Sequence, residues 1–160
     1  MISHCPAISG NMPNDLWHNV GMSALHSHIG EWLQVPPPHS DREVLDLVER
    51  RLPTSAVGRL IALGITKTEI GEVVLPLRTL QHRRTRRELL TVDESDRLLR
   101  VIRALSMTES VYETRERSLA WLRRPNRHLD DRAPLSLVST DTGMRMVEQL
   151  LGQIDEGMFV

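Results

Sequence analysis

GEVVLPLRTLQHRRTRRELLTVDESDRLLRVI, residues 71–102, decides the fold. Pro76 interrupts the apolar run before it, because proline lacks the N–H that a continuing helix needs. Five arginines then crowd into the ten positions from Arg78 to Arg87, although the whole chain carries a formal charge of only −1. Thr91 and Glu94 form a capping box, in which each side chain satisfies a backbone N–H of the first helical turn, and Leu98, Ile102 and Leu105 follow at i, i+4 and i+7. Just upstream, Thr66 and Glu69 make a second capping box, with Ile70, Val73 and Val74 on the apolar side. The pattern predicts two short helices, over residues 66–74 and 77–87, separated by a tight turn at Leu75-Pro76. Those are the dimensions of a helix-turn-helix.

Outward from this stretch the punctuation stays helical. Ser40 and Glu43 make a third capping box ahead of Val44, Leu45, Val48 and Leu52, and Pro53 ends that helix. Thr54 is placed to cap the next, with Val57, Leu60 and Ile61 inward and Gly64 closing it. A helix over residues 108–122 is expected from Val111, Leu119 and Leu122, stopped by RRPNRHLDDRAP, where Pro125-Asn126 reads as a structural helix end. PLSLVSTDTG suggests a single turn. A last helix over residues 142–155 carries the stripe Val147, Leu150, Leu151 and Ile154, with Gly157 as its C′ residue. Residues 1–39 mix Gly, Pro, Asn, Ser and His and end in VPPPH, which reads as a mobile arm; within it LWHNVGMSALHSHIGEWL could form a short helix, weakened by two glycines. With 40% hydrophobic residues and only five aromatics, the chain is expected to be all-α.

Charge is unevenly divided. Residues 1–52 sum to −3, residues 53–103 to +4, and residues 104–160 to −2. A basic helix is often only a solvated face, partly balanced here by Glu88. Its place as the second helix of a helix-turn-helix favours a reading strip for DNA. On that reading Arg78, Thr79, Gln81, His82, Arg83 and Arg84 face base edges and phosphates, while Lys67 and Thr68 at the start of the preceding helix meet the backbone. Other chemistry is poorly provided for. The single cysteine, Cys5, forms no internal disulfide, and His4, His18, His26 and His28 lack metal-ligand spacing, so no metal is expected. Glu109, Glu113 and Glu116 interleave with Arg115 and Arg117 as a salt-bridged surface rather than an acid/base pair. No apolar run approaches a membrane span and nothing resembles an export signal, which fits a cytoplasmic protein.

The run Arg78-Thr79-Leu80 with Arg83, Leu90 and Glu94-Ser95-Asp96-Arg97-Leu98-Leu99-Arg100 resembles the Xre-like region of antitoxins that carry the Xre/MbcA/ParS toxin-binding domain. The tail agrees: Ala120-Trp121-Leu122, Pro125-Asn126, Leu129, Pro134-Leu135, Leu137, Thr140, Gly143, Val147, Leu150 and Gly157 follow in that domain's order. His82, Asp131, Ser136 and Gln153 depart from the usual pattern. The resemblance covers about residues 53–160 and implies three parts: a mobile N-terminal arm over 1–39, an Xre-like helix-turn-helix and dimerisation region over 40–105, and a small helical toxin-binding domain over 106–160. It also implies a type II antitoxin, without catalysis or cofactor of its own, that binds its own promoter as a homodimer. The partner it implies is a cognate NAD-consuming RES-domain toxin, covered at its active site by Ile154, Asp155, Glu156, Gly157, Met158, Phe159 and Val160. Large apolar side chains at a chain end, such as Met158 and Phe159, fit a partner's pocket, the alternative being a tail folded back on its own domain. Two alternatives stay open: a stand-alone helix-turn-helix regulator whose C-terminal part dimerises or binds a ligand, and an interaction module with no DNA role.

Overall fold

Helices begin where capping side chains stand. The computed structural model describes residues 14–157, with side-chain positions from residue 23 onward. In chain order the helices are α1 (Asn14–Leu33), α2 (Asp41–Glu49), α3 (Ser55–Ala62), α4 (Lys67–Val73), α5 (Leu77–Arg86), α6 (Val92–Tyr112), α7 (Arg115–Arg123), α8 (Pro134–Leu137) and α9 (Asp141–Asp155). A single 3₁₀ turn, Arg127–Leu129, lies between α7 and α8. Among the described residues there is no strand, only isolated bridges between Pro53 and Leu89 and between Asn126 and Arg132. The fold is all-α, and no described helix is long and apolar enough to cross a membrane.

Both capping boxes around the arginine cluster form in full. Thr66 N–H donates to Glu69 Oε2 at 2.7 Å and Glu69 N–H to Thr66 Oγ1 at 3.2 Å. Thr91 and Glu94 repeat the pattern at 2.8 and 3.1 Å. At α2 only half of the expected box forms. Glu43 N–H reaches Ser40 Oγ at 3.3 Å, but the Glu43 carboxylate accepts from His39 N–H at 2.9 Å instead. Thr54 does not cap α3 with its side chain, because its own backbone is already helical (φ −61°, ψ −19°).

The frame is α6. It carries Leu98, Ile102 and Leu105, all fully buried, and α1, α2, α7 and α9 pack around it. Each such aliphatic side chain contributes about 1.5–3 kcal/mol through removal from water. The expected boundary between residues 105 and 106 falls inside this helix, and the helix expected over residues 108–122 is divided between the end of α6 and α7. No Gly or Pro interrupts residues 92–112, and the polar residues at the seam are satisfied in place: Thr108 Oγ1 donates to the Ala104 carbonyl at 2.8 Å. The helix stops at Glu113, whose left-handed backbone (φ 64°) turns the chain into α7.

The mobile arm expected over residues 1–39 is corrected for its described part. Residues 14–33 form the 20-residue α1, which packs on α6 through buried Leu25, Ile29, Trp32 and Leu33. Polar contacts seal it. His28 Nδ1 lies 2.8 Å from the buried Ser106 hydroxyl, the His28 ring stacks on Trp32, and the Arg115 guanidinium sits 4.8 Å from the Trp32 ring centre. The prolines that follow turn back on the helix, so close that a Cβ on Gly30 would lie 2.7 Å from Pro37 Cβ. Gly30 therefore serves packing rather than helix breaking. Residues 1–13, with His4 and Cys5, lie outside the described residues.

Candidate nucleic-acid and partner-binding sites

Helices α4 and α5 meet at a turn whose Val74 and Leu75 are buried while Pro76 is exposed. Leu75 N–H returns to the Ile70 carbonyl at 3.1 Å, and the Pro76 carbonyl accepts from Leu80 N–H at 3.0 Å, so the corner closes and α5 starts on the proline. Leu80 anchors α5 inward at 4% exposure. Opposite it, Arg78, Gln81, His82 and Thr85 fall at i, i+3, i+4 and i+7 and are exposed, an outward stripe of hydrogen-bonding groups. Thr79 is half-buried, at the edge of this stripe. Lys67 and Thr68, exposed at the start of α4, precede the same corner.

Arg78, Arg84, Arg87 and Lys67 have no ion-pair partner among the described residues. Arg84 lies over α3, where a Cβ on Gly58 would sit 3.8 Å from its Nη2. Arg86 approaches Glu88 at 3.9 Å. Thr85 and Arg87 belong to this exposed surface yet lie outside the expected strip; Thr85 shares the helical register of Gln81, whereas Arg87 ends α5 on left-handed backbone (φ 55°).

Arg83 corrects that strip. Its guanidinium is held by two carboxylates, Nε 3.0 Å from Glu94 Oε2, Nη2 3.2 Å from Glu94 Oε1 and Nη1 3.4 Å from Glu88 Oε2. With 18% side-chain exposure against 12% for Glu94, the pair is an internal brace. Glu94 also caps α6, so Arg83 fixes the angle between α5 and α6. We predict that Arg83→Ala costs about 2 kcal/mol by leaving the Glu94 carboxylate buried without its cation. For a chain of this size that is a fall in Tm of about 4–8 °C. The salt dependence of DNA binding should stay unchanged. An unaltered melt with a flattened salt slope would return Arg83 to the DNA surface.

A second arginine ties the two halves of the chain. Arg123 of α7 donates to the Glu69 carboxylate from Nε at 2.6 Å and from Nη2 at 2.9 Å, and Nη2 also reaches the Gly64 carbonyl at 2.7 Å. Burial alone would raise the Glu69 pKa, but the hydrogen bonds from Arg123 and Thr66 outweigh it and hold the carboxyl below its ordinary range. The same bond raises the Arg123 pKa. Beside the pair, Gly64 adopts φ 101° and leaves no room for a Cβ, which would meet Leu119 Cδ1 at 2.7 Å.

In the C-terminal half, the Val147, Leu150 and Leu151 stripe of α9 is buried, and Ile154 is half-buried. Arg103 of α6 binds Glu148 of α9 at 2.6 Å. The helix ends at Glu156, and Gly157 (φ 72°) takes the C′ position, its N–H bonded to the Ile154 carbonyl at 3.0 Å. Asp155, Glu156 and Gly157 are exposed; Met158, Phe159 and Val160 lie outside the described residues. Met146, 38% exposed on the outer face of α9, was not singled out by the spacing argument. Of the acidic trio, Glu109 pairs with Arg115, Glu113 makes the turn, and Glu116 is exposed. Asn126 caps the 3₁₀ turn by accepting from His128 N–H at 2.9 Å.

Comparison with known proteins follows this division. Residues 43–103 match the antitoxin Xre-like helix-turn-helix domain, and residues 107–157 match the antitoxin Xre/MbcA/ParS C-terminal toxin-binding domain. Both matches meet within α6, so one helix serves the two domains. A protein of Pseudomonas putida named Antitoxin Xre is 32% identical over 125 residues, 78% of this chain and 79% of the relative. Another of that name, from Yersinia enterocolitica, is 28% identical over 132 residues, covering 80% and 89%. A third, from Photorhabdus laumondii, is 26% identical over 147 residues, covering 91% and 90%. With both domains present in order and the alignments running through most of each relative, the chain belongs to the Xre antitoxin family.

Proposed function

We propose that this chain is a cytoplasmic, non-enzymatic antitoxin that neutralises a cognate NAD-consuming RES-domain toxin and represses its own promoter as a homodimer. The match of residues 107–157 to a toxin-binding domain, directly continuous with a helix-turn-helix, carries the reading. In it, residues 154–160 cover the toxin's active site. Gly157 supports this part of the reading, because its left-handed backbone marks the end of α9.

The DNA half works through Lys67, Thr68, Arg78, Thr79, Gln81, His82 and Arg84. The corner at Pro76 presents the start of α5, from which Arg78 can take guanine O6 and N7 with two bonds and Gln81 can do the same for adenine, each about 1–3 kcal/mol of discrimination. Lys67, Thr68 and Arg84 serve phosphates, which set register without reading sequence. Two copies related by a twofold axis would place their α5 helices in successive major grooves, about 34 Å apart.

The test has two arms. Co-expression with the toxin should yield a stable complex that consumes no NAD. Titration of a promoter duplex should show affinity falling steeply between about 50 and 200 mM salt, with Arg78→Ala and Arg84→Ala each changing the log–log slope by about 0.9. A flat salt response would remove the DNA role, and free, active toxin beside the purified chain would remove the antitoxin role.

A further inference from the structure

Arg123 does more than join the halves; it fixes where its neighbours stand. Its guanidinium grips Glu69, the residue that closes the capping box of α4 and lies one and two positions beyond Thr68 and Lys67. The carboxyl end of α7 is thereby pinned beside the proposed backbone-contacting edge of the helix-turn-helix. Leu119 against Gly64 adds an apolar contact on the same seam. Arg123 itself is occupied, and the Glu69–Arg123 pair sums to zero charge, so Glu69 does not repel an approaching phosphate.

The next two arginines are free. Arg124, the residue that ends α7, and Arg127, the first of the 3₁₀ turn, are exposed and have no ion-pair partner among the described residues. Their backbone is set by a hydrogen-bonded corner: Arg124 N–H to the Trp121 carbonyl at 3.2 Å, Asn126 N–H to the Arg132 carbonyl at 3.1 Å, and Asp131 N–H to the Asn126 carbonyl at 3.0 Å. Asp130 and Asp131 share this loop, on left-handed backbone (φ 55° and 56°), and neither is ion-paired with Arg124 or Arg127. An exposed, permanently charged guanidinium on a fixed backbone suits a phosphate, whose counterions it displaces.

We propose that Arg124 and Arg127 form a second phosphate-binding ridge, through which the toxin-binding half touches the DNA backbone beside the helix-turn-helix. This rests on the promoter-binding reading above and assigns the C-terminal domain a part in DNA binding as well as in toxin binding. Contacts of this kind add affinity and salt dependence without sequence preference.

The experiment is a salt titration of the full chain on a duplex carrying its operon's promoter and on a scrambled duplex of equal length. The Arg124→Ala, Arg127→Ala double variant should lower the log–log slope by about 1.8 on both duplexes. Its melt should match the parent, and toxin co-purification should persist. The Arg124→Lys, Arg127→Lys variant should restore the slope, because charge rather than shape is read. An unchanged slope in the alanine variant, while Arg78→Ala and Arg84→Ala still lower theirs, overturns the ridge and leaves promoter binding standing. A slope unmoved by any of the four substitutions overturns the promoter reading and the ridge with it. Loss of toxin co-purification with an unchanged slope overturns the ridge too, and gives these arginines to the protein partner.

Discussion

Gly143→Ala is expected to lower the Tm by about 6–12 °C, and with it to abolish recovery of a toxin complex. A Cβ at this position would run into the Leu137 carbonyl oxygen and lie 2.8 Å from its carbon and 2.9 Å from Thr140 Oγ1. Two of the three atoms are backbone, so no side-chain rotation relieves the clash. The third belongs to the cap of α9, where Thr140 Oγ1 accepts from Gly143 N–H at 3.1 Å. Opening the α8–α9 corner breaks that bond as well. Overpacking of this kind costs about 1–3 kcal/mol and loss of a cap about 1 kcal/mol more. The sum is a large share of a domain's net stability of about 5–15 kcal/mol. A thermal melt checks it, and a Tm within about 2 °C of the parent would show that the corner yields easily.

The second large effect is expected at the chain end. Removing Met158, Phe159 and Val160 should weaken toxin binding by about 100-fold or more while promoter affinity changes little. Full burial of a Met or Phe side chain is worth about 1.5–3 kcal/mol, and each 1.4 kcal/mol is a factor of ten in affinity. Those three residues follow the Gly157 stop, whereas the proposed DNA-facing residues lie in α4 and α5, so the two activities should separate. Rescue of growth against the expressed toxin, measured beside promoter binding, decides it. Undiminished rescue would mean that α9 itself, with exposed Met146, supplies the toxin contact.

Where local chemistry sets the structure, the sequence is legible. Thr66 with Glu69, Pro76, Thr91 with Glu94, and Gly157 each act within four residues, and each does in the fold what its chemistry demands. Readings that depended on distant partners fared differently. Arg83 looks like its exposed neighbours until Glu94, eleven positions on, is found against it. Gly30 looks like a helix breaker until Pro37 is found packed on it. Helix α1 carries apolar residues on more than one face and two glycines, so its docking on α6 has no clean periodicity to announce it. The α6–α7 boundary rests on Glu113 in a left-handed conformation, which a glutamate does not signal. Ser40 shows a smaller case, in which the expected reciprocal bond exists but moves one residue along to His39.

Such long-range contacts also decide how the candidate site works. The basic cluster divides into Arg83, an internal brace, Arg86, which approaches Glu88, and Arg78, Arg84 and Arg87, which are unpaired and exposed. The C-terminal domain is not appended by a linker; α6 runs through both halves and Arg123 clasps Glu69 across them. A perturbation of α7 therefore reaches the start of α4 without passing through a flexible joint.

The central claim is inhibition by the carboxyl end of this chain. NAD consumption by the purified cognate toxin, proposed above to be of the RES-domain class, titrated with the full chain, tests it most directly. Activity is expected to fall to background at a fixed molar ratio, and the chain lacking residues 158–160 is expected to restore it at the same ratio. Undiminished NAD consumption at saturating full-length chain would contradict it.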